Sequence, residues 1–277
     1  MSTRQRGVST PQVVTPSVSV VIPAYNEAHR LPRSLGTVLE YLSGVPGSEL
    51  IVVDDGSMDD TVHVAEQCLD GCDRVFSRLL RTVRNRGKGH AVRTGLLAAR
   101  ASIGVFTDAD LSTPITELPK LLDPLLRGDG DVTFGSRALD RRLIGVHQPW
   151  LRETAGRVFN LVVRASTGLP IWDTQCGFKA FRMSACRPIL EVATIDRFGF
   201  DVEWLYVAYR AGLRLREIPV RWNHCEGSTV SLRRDSLRLI DDIRLIRQQA
   251  ATGVYNRAID DTVGTTVPRQ ERNWKPA

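Results

Sequence analysis

Short, continuous apolar runs alternate with helical patterns through the first half of the chain, and this alternation limits the fold more than any other feature. Runs such as IVV, with no polar alternation, are typical of strands buried on both faces of a sheet. Strands separated by helices at this spacing indicate a mostly parallel sheet flanked by helices. The predicted strands are residues 18–23, 50–53, 75–82, 103–107 and 131–137. The predicted helices are residues 31–42, a segment that starts near Asp59, a segment that ends near Arg100, and residues 115–127.

The second half of the chain is less regular. Its patterns predict helices near 150–167 and 200–211 and strands near 177–182 and 213–222. Residues 232–250 form a basic amphipathic pattern, in which apolar residues recur every three or four positions and arginines occupy the other faces. The apolar positions of this pattern are Leu232, Leu239, Ile243 and Ile246. We divide the chain into a disordered lead-in (1–16), one α/β domain (17–230), a basic amphipathic helical segment (231–257) and a polar tail (258–277).

Composition limits the partners of the chain. With 277 residues, of which 42% are hydrophobic, it can bury a large core. The net charge of +6 suits phosphorylated ligands, nucleic acid or an anionic membrane surface. Nucleic acid is disfavoured because the basic residues lack interleaved aromatic residues. No apolar stretch approaches the roughly 18–20 residues that span a bilayer, and five cysteines without a C-x-x-C pair favour reduced cytosolic thiols.

Carboxylates follow three of the predicted strands at the point where each strand ends. Glu27 follows the first strand, Asp54 and Asp55 the second, and Asp108 and Asp110 the fourth. Ligands of parallel sheets bind beyond the carboxyl ends of the strands, so these side chains should meet at one edge. Carboxylates two residues apart in extended chain point to the same side and repel each other unless a cation lies between them. Mg²⁺ or Mn²⁺ bridging a phosphorylated ligand would satisfy both groups, whereas the simpler alternative is a solvated turn.

Two common nucleotide-binding motifs are missing from the sequence. The first strand runs into P-A-Y-N-E instead of G-x-G-x-x-G, and no G-x-x-x-x-G-K-[ST] is present. A nicotinamide enzyme of the usual kind and a P-loop protein are therefore disfavoured. The stretch N-R-G-K-G at 85–89 could approach a phosphate with its backbone N–H groups and Lys88, or it could be a tight turn before a helix.

Taken in order, six stretches of the sequence resemble family 2 glycosyltransferases of the GT-A fold. They are VSVVIPAYNEAHRLP, ELIVVDDGSMDDT, NRGKGHAVRTG, DADLSTP, GSR and DTQCGFKAFR, and the likeness covers roughly residues 17–230. The resemblance is greatest to dolichyl- and polyprenyl-phosphate glycosyltransferases, especially the glucosyl branch. It implies a Rossmann-like, mostly parallel sheet and inverting, Mg²⁺- or Mn²⁺-dependent transfer of a hexose, with UDP-glucose the favoured donor, to a polyprenyl phosphate.

Several alternatives remain open within this resemblance. The donor could be GDP-mannose or a UDP-N-acetylhexosamine, and the acceptor could be a soluble glycan. A nucleotide-sugar-binding protein without turnover is a further alternative, which the intact Asp108 and Asp110 disfavour.

The resemblance also implies roles for individual residues. The nucleotide-sugar site would contain Pro23, Tyr25, Glu27, Asp54, Asp55, Lys88, Asp108 and Asp110, of which Asp108 and Asp110 would hold the metal. The acceptor phosphate would be held by Arg137, Arg152 and Ser228. The residues closest to the reaction would be Asp110, Arg137, Arg152 and Asp173. The sequence departs from relatives at Ser112, where mannosyl enzymes commonly have Gln, and at Thr229, where Lys is common.

A lipid acceptor requires contact with a membrane surface. The resemblance implies a cytoplasmic protein peripherally associated with the cytoplasmic face of a membrane. Residues 232–250 could supply that contact, since a helix with an apolar stripe and flanking arginines can lie in an anionic lipid interface. The same stripe could instead pack on the catalytic domain. A separate integral-membrane partner also remains open.

Overall fold

In the computed structural model, residues 17–148, 150–225 and 232–263 are described, with the side chains of 151, 152, 232–237 and 263 excepted. The strands are β1 (Val18–Ala24), β2 (Ser48–Asp54), β3 (Phe76–Arg81), β4 (Ile103–Thr107), β5 (Val132–Ser136), β6 (Ile144–Val146), β7 (Phe178–Arg182), β8 (Leu215–Pro219) and β9 (Trp222–Asn223). The helices are α1 (Leu31–Ser43), α2 (Thr61–Asp70), α3 (Lys88–Ala98), α4 (Leu118–Leu126), α5 (Trp150–Thr167), α6 (Met183–Val192), α7 (Phe200–Arg210), α8 (Leu232–Ala251) and α9 (Asn256–Val263).

Seven strands form one central sheet in the order β3-β2-β1-β4-β7-β5-β8. β3, β2, β1 and β4 pair in parallel, and β5 pairs in parallel with β8. β7 is antiparallel to both of its neighbours, β4 and β5. The prediction of a mostly parallel sheet flanked by helices is therefore confirmed. A separate two-stranded ribbon pairs β6 with β9, whose partner residues Ile144 and Trp222 are 78 positions apart in the sequence.

Helices cover the sheet on both faces, and successive residues of each strand point to opposite sides, so each strand contributes to two cores. Val21 and Phe106 pack with α3, α6 and α7 in one core. Val20 and Val105, their sequence neighbours, pack with α1, α2 and α4 in the other core. This double burial explains why the strands are continuously apolar in sequence.

In the C-terminal part of the chain, the structure favours one of the two alternatives for residues 232–250 and differs from the predicted start of the polar tail. α8 is a helix, and three positions of its apolar stripe, Leu239, Ile243 and Ile246, are buried at 8%, 4% and 0% exposure. Because Ile243 and Ile246 belong to the same core as α3 and α7, these side chains contact protein and are not free for lipid. The polar tail was predicted from residue 258, but α9 extends to Val263 and buries Ala258.

Other parts of the sequence prediction concern residues outside the described ranges. The lead-in 1–16 and residues 264–277 of the tail lie outside the described residues. None of the helices in the described part of the chain is both long and apolar enough to cross a bilayer.

Candidate active site

The carboxyl ends of three adjacent parallel strands, β2, β1 and β4, form one edge of the sheet, which we name the donor edge. Asp54 is the last residue of β2, Tyr25 follows β1, and Asp108 follows β4. The sheet order therefore brings together the acidic groups that the sequence places after three separate strands. A ligand at this edge would meet all three loops.

Asp54 and Asp55 are buried and bonded to neighbouring backbone. Asp54 accepts from the N–H of Ser57 at 3.2 Å. Asp55 accepts from the N–H groups of Arg86 at 3.1 Å and Gly87 at 2.6 Å. Gly87 has φ +120°, a conformation that side chains disfavour. These two carboxylates shape the β2 turn and the N-R-G-K-G loop, and each retains lone pairs for a further donor.

The loop after β1 is joined to the loop after β2 by hydrogen bonds in both directions. The N–H of Asn26 donates to Ser57 Oγ, and the N–H of Met58 donates to Asn26 Oδ1, both at 2.9 Å. Glu27 forms a two-point ion pair with Arg30, with Nε and Nη2 each 2.6 Å from a carboxylate oxygen. Tyr25 is 38% exposed at this edge, and Pro23 is half-buried within β1.

Backbone strain also concentrates at the donor edge. Within the described residues, Asn26 and Leu111 are the only non-glycine residues with positive φ, at 53° and 48°. An L-residue in the left-handed region costs about 1–2 kcal/mol of conformational free energy, and this cost is larger for Leu than for Asn. Both residues follow strands whose ends carry candidate ligands, and strain of this kind clusters at functional sites.

Asp108 and Asp110 are both partly accessible at the end of β4. Asp110 Oδ1 accepts from the N–H of Ser112 at 2.9 Å. Across the described residues, no group of three or more His, Cys, Asp or Glu side chains is arranged around a metal position. Two carboxylates suit Mg²⁺ or Mn²⁺, which complete their shells with water and phosphate oxygens, and do not suit an all-protein zinc site. The donor set therefore fits a metal shared with a phosphorylated ligand.

A line of alternating charges extends from Asp108 into the core. Lys88 Nζ lies 2.5 Å from Asp108 Oδ1, and Lys179 Nζ lies 2.7 Å from Asp201 Oδ1. Burial alone would lower the pKa of Lys88, but the carboxylates of Asp108 and Asp201 outweigh burial and raise that pKa. Burial raises the pKa of Asp201, and the two lysines oppose the rise. Lys88 thus stays protonated while it contacts the donor edge.

Gly177 makes room for the Asp108 carboxylate. The N–H of Asp108 donates to the carbonyl oxygen of Gly177 at 3.1 Å, so the two backbones are in contact. A Cβ atom on residue 177 would lie 2.1 Å from Asp108 Oδ2. Any side chain at 177 would therefore displace Asp108, and the glycine of D-T-Q-C-G-F is required by the geometry of a residue almost 70 positions earlier.

The partly buried Arg137 and the buried Asp173 form a bidentate ion pair beyond the end of β5. Arg137 Nε and Nη2 lie 2.7 and 2.8 Å from the two oxygens of Asp173. Burial would raise the pKa of the Asp173 carboxyl, but Arg137 overcomes burial and lowers that pKa. Glu217 Oε1 accepts from the N–H of Asp173 at 2.8 Å and fixes the same loop. Because the pair uses Nε and Nη2, the Nη1 group of Arg137 keeps two donors for another anion.

The Arg137–Asp173 pair lies in the wall of a groove of about 460 Å³, which we name the acceptor groove. Its walls contain Arg137, Arg141, Arg157, Arg164, Trp172 and Trp222. The Arg137 guanidinium lies 5.5 Å from the centre of the Trp222 ring, and the Arg164 guanidinium lies 3.7 Å from the centre of the Trp172 ring. Cationic and aromatic walls suit a ligand that has both a phosphate and an apolar part.

Residues 173–177 connect the two halves of the site. Asp173 holds Arg137 at the acceptor groove, and Gly177 contacts Asp108 at the donor edge. The structure therefore brings Lys88 to Asp108 and Arg137 to Asp173, two pairings that the sequence does not indicate. Arg152 lies in the first turn of α5, but its side chain is outside the described residues, as is Ser228.

Sequence reasoning missed several residues that organise the site. Gly177 and Lys179 lie within D-T-Q-C-G-F-K-A-F-R and Asp201 within F-D-V-E-W, but neither these residues nor Glu217 received an individual role from the sequence. Phe200 and Trp204 of the latter stretch are core residues, with ring centres 4.8 Å apart and exposures of 0% and 2%.

Comparisons with known proteins identify the family of the chain. A sequence model described as glycosyl transferase family 2 matches residues 19–190. The dolichyl-phosphate beta-glucosyltransferase of Drosophila melanogaster is 37% identical over 256 residues, which cover 87% of this chain and 77% of that protein. The dolichyl-phosphate beta-glucosyltransferase of Saccharomyces cerevisiae is 33% identical over 257 residues, which cover 86% of this chain and 76% of that protein.

A solved structure shares the fold. It is the crystal structure of glucosyl-3-phosphoglycerate synthase from Mycobacterium tuberculosis in complex with Mn²⁺, uridine diphosphate and glucosyl-3-phosphoglycerate. The TM-score is 0.60 at 22% identity, and the match covers 88% of this chain and 86% of that one. At this identity the likeness concerns the fold alone.

Proposed function

Because this chain belongs to glycosyl transferase family 2 and has the GT-A fold, we propose that it transfers glucose from UDP-glucose to a dolichyl or polyprenyl phosphate. One observation carries this proposal: residues 173–177 hold an arginine-lined groove against a carboxylate-lined sheet edge. A nucleotide diphosphate needs the carboxylates through a metal, and a prenyl phosphate needs the arginines and the apolar walls.

The donor would bind at the donor edge. Asp108 and Asp110 would hold Mg²⁺ or Mn²⁺, and the metal would supply charge neutralisation at the leaving diphosphate. The mycobacterial structure of the same fold contains Mn²⁺ and uridine diphosphate, which supports a divalent metal without identifying its ligands. The Lys88 ammonium already lies at the Asp108 carboxylate. It would therefore be close enough to contact a phosphate oxygen of the donor once a metal occupies the carboxylate.

The remaining donor-edge residues would surround the nucleotide. Pro23, Tyr25 and Glu27 would form the loop on one side of it. Asp54 and Asp55, whose oxygens already accept backbone N–H groups, would position the neighbouring loops and accept from the base and ribose.

The acceptor phosphate would bind in the acceptor groove. Arg137, already fixed by Asp173, would donate through Nη1, and Arg152 and Ser228 would add contacts. A phosphate oxygen would attack C1 of glucose from the face opposite the diphosphate. The O–C1 bond forms as the bond from C1 to the diphosphate oxygen breaks, which inverts the anomeric centre and releases UDP. An ionised phosphate needs no strong general base. The main contribution of the acceptor groove to catalysis would therefore be positioning of the phosphate by the arginines.

The place of action follows from the acceptor. A prenyl lipid is held in a membrane, so the chain would act peripherally at a membrane surface, on its cytoplasmic side. The five cysteines are all free thiols, which agrees with a reducing compartment. A separate integral-membrane partner is compatible with this arrangement.

The test is transfer of radiolabelled sugar to polyprenyl phosphate. The purified chain is incubated with a panel of UDP- and GDP-sugars in Mg²⁺ or Mn²⁺, with EDTA as the control. We expect one strong, EDTA-sensitive donor, UDP-glucose. Transfer from GDP-mannose or a UDP-N-acetylhexosamine alone would show that the proposed donor sugar is wrong. Transfer only to 3-phosphoglycerate or a glycan would show that the proposed acceptor is wrong. Donor binding without transfer to any acceptor would contradict catalysis.

A further inference from the structure

We propose that the exposed face of α5 is the surface that docks this chain onto an anionic lipid bilayer, an inference that rests on the proposed lipid acceptor. The residues of this face, which we name the α5 face, are Trp150, Thr154, Val158, Leu161, Val162 and Ala165. They recur at three- and four-residue intervals and so lie along one side of the helix.

The α5 face is apolar and open. Trp150, Leu161, Val158 and Val162 are 72%, 64%, 56% and 38% exposed. The opposite side of the same helix is covered, because Val163 is fully buried and Phe159 packs against the core. Exposed large apolar residues scattered singly need no explanation, but four along one helix side form a patch that marks an interaction site.

The surroundings of the α5 face extend it with side chains that suit a lipid interface. Val146 and Trp172 are 51% and 48% exposed and line or adjoin the acceptor groove. Arg157 and Arg164 lie on the groove side of the helix, where Arg164 covers Trp172. Apolar residues bordered by arginines, with tryptophans at the level of the head groups, are typical of helices that lie in an anionic interface.

The location of the α5 face beside the acceptor groove favours a lipid bilayer over another binding partner. Leu161 belongs both to the α5 face and to the wall of the acceptor groove, so a surface that covers the face also lies at the groove. A membrane would deliver a prenyl phosphate there with its phosphate at head-group depth. On α8, by contrast, the predicted stripe positions Leu239, Ile243 and Ile246 are buried in the protein.

The experiment measures binding of the full chain to vesicles of phosphatidylcholine with a minority of phosphatidylglycerol, without donor or prenyl phosphate. The variant is Val158→Asp/Val162→Asp, at two face residues outside the groove wall. The matched control is Leu126→Asp, at a 72% exposed leucine of α4, whose neighbours pack in the core on the other face of the sheet. We expect vesicle partitioning to fall about tenfold or more in the double variant and to change less than about twofold in the control.

Two further readouts separate this inference from the proposed function. Glucose transfer to a short-chain, water-soluble prenyl phosphate should persist in the double variant, whereas transfer to vesicle-embedded polyprenyl phosphate should fall with binding. Equal vesicle binding by the wild type and the double variant would overturn the docking surface, as would a wild-type dimer that the double variant dissociates. Absence of transfer to both acceptors in the wild type would contradict the proposed function, and vesicle binding would still decide whether the α5 face docks on lipid.

Discussion

The donor edge and the acceptor groove are built in different ways. The donor edge collects residues that directly follow three adjacent parallel strands, and each loop carries its own short motif. The acceptor groove gathers β5, β6, β9, α5 and the loop before β7, so Arg137 meets Trp222 from 85 positions away. A parallel sheet aligns strand ends by its topology alone, whereas a groove made of irregular segments depends on packing.

The antiparallel strand β7 joins the two regions. It lies between β4 and β5, and the loop before it passes from Asp173 at the groove to Gly177 at the donor edge. The two regions are chemically opposite, acidic on one side and basic and aromatic on the other. Damage to one side should therefore change one substrate, and damage to the loop should change both.

Asp110→Asn should have the largest effect. Loss of one of two candidate metal carboxylates should reduce kcat by about 10³-fold, because charge on the leaving diphosphate is no longer neutralised. Steady-state transfer assays with titrated Mn²⁺ measure the loss, and prenyl-phosphate binding should be unchanged. Asp70→Asn, at the exposed end of α2, is the matched control. Activity near the wild-type level would contradict the metal assignment.

Gly177→Ala should damage the donor edge through the connecting loop. A methyl group 2.1 Å from Asp108 Oδ2 must displace that carboxylate, and a shift of this kind costs about 10²-fold in activity. The KM for the donor should rise together with the loss of kcat. Gly36→Ala is the control, since a Cβ there meets nothing within 4 Å. If Gly177→Ala behaves like Gly36→Ala, then Gly177 does not position Asp108.

Arg137→Ala should act on the acceptor side. Loss of a bidentate arginine should lower kcat/KM for the prenyl phosphate by about 10- to 100-fold and leave donor affinity unchanged. It also leaves the buried Asp173 without its partner, which should cost about 3–5 kcal/mol in the free energy of unfolding.

Calorimetry with UDP-glucose, acceptor kinetics and urea unfolding measure the three consequences of Arg137→Ala separately. Arg157→Ala, at an exposed arginine of the same groove, is the control for charge alone. Equal loss of donor and acceptor binding would remove the distinction between the two regions.

The smallest expected effect is that of acid, which should lower the free energy of unfolding through protonation of Asp173 on the acceptor side. The pKa of this carboxyl is lower in the folded chain than its ordinary value of 3.8. Its stabilisation is therefore complete above that ordinary value and is lost as pH falls through the lower folded pKa. The stability advantage of the wild type over Asp173→Asn should narrow by about 0.5 kcal/mol from about pH 6 to about pH 3.5.

Urea unfolding of both chains at each pH checks the acid prediction, and other acids with lowered pKa, such as Asp131, cancel because both chains contain them. A gap that stays constant or widens in acid would mean that Asp173 does not stabilise the fold through its charge.

Local sequence was sufficient for the donor edge. Continuous apolar runs predicted the buried parallel strands, and residues just beyond them were expected to share an edge. That expectation holds because β2, β1 and β4 are neighbours in the sheet. The roles assigned to these residues at the edge stay predictions.

The sequence could not predict how the candidate residues pair. Lys88 with Asp108 and Arg137 with Asp173 are contacts between separate elements. α6 also escaped prediction, and it carries Pro188 in its interior. The pairing of Asp201 with Lys179 was not predicted, because a buried ion pair is recognised only when both partners are placed.

The sequence by itself determined the strands of the central sheet, the approximate sites where they end, and the acidic character of the donor edge, since these depend on burial and periodicity within a few neighbouring residues. Only the tertiary structure decided which amphipathic helix is covered. Ile246 of α8 and Val163 on one side of α5 are fully buried, whereas Leu161 on the other side of α5 is 64% exposed. A periodic pattern gives a helix an apolar side, but the element that packs against that side belongs to another part of the chain.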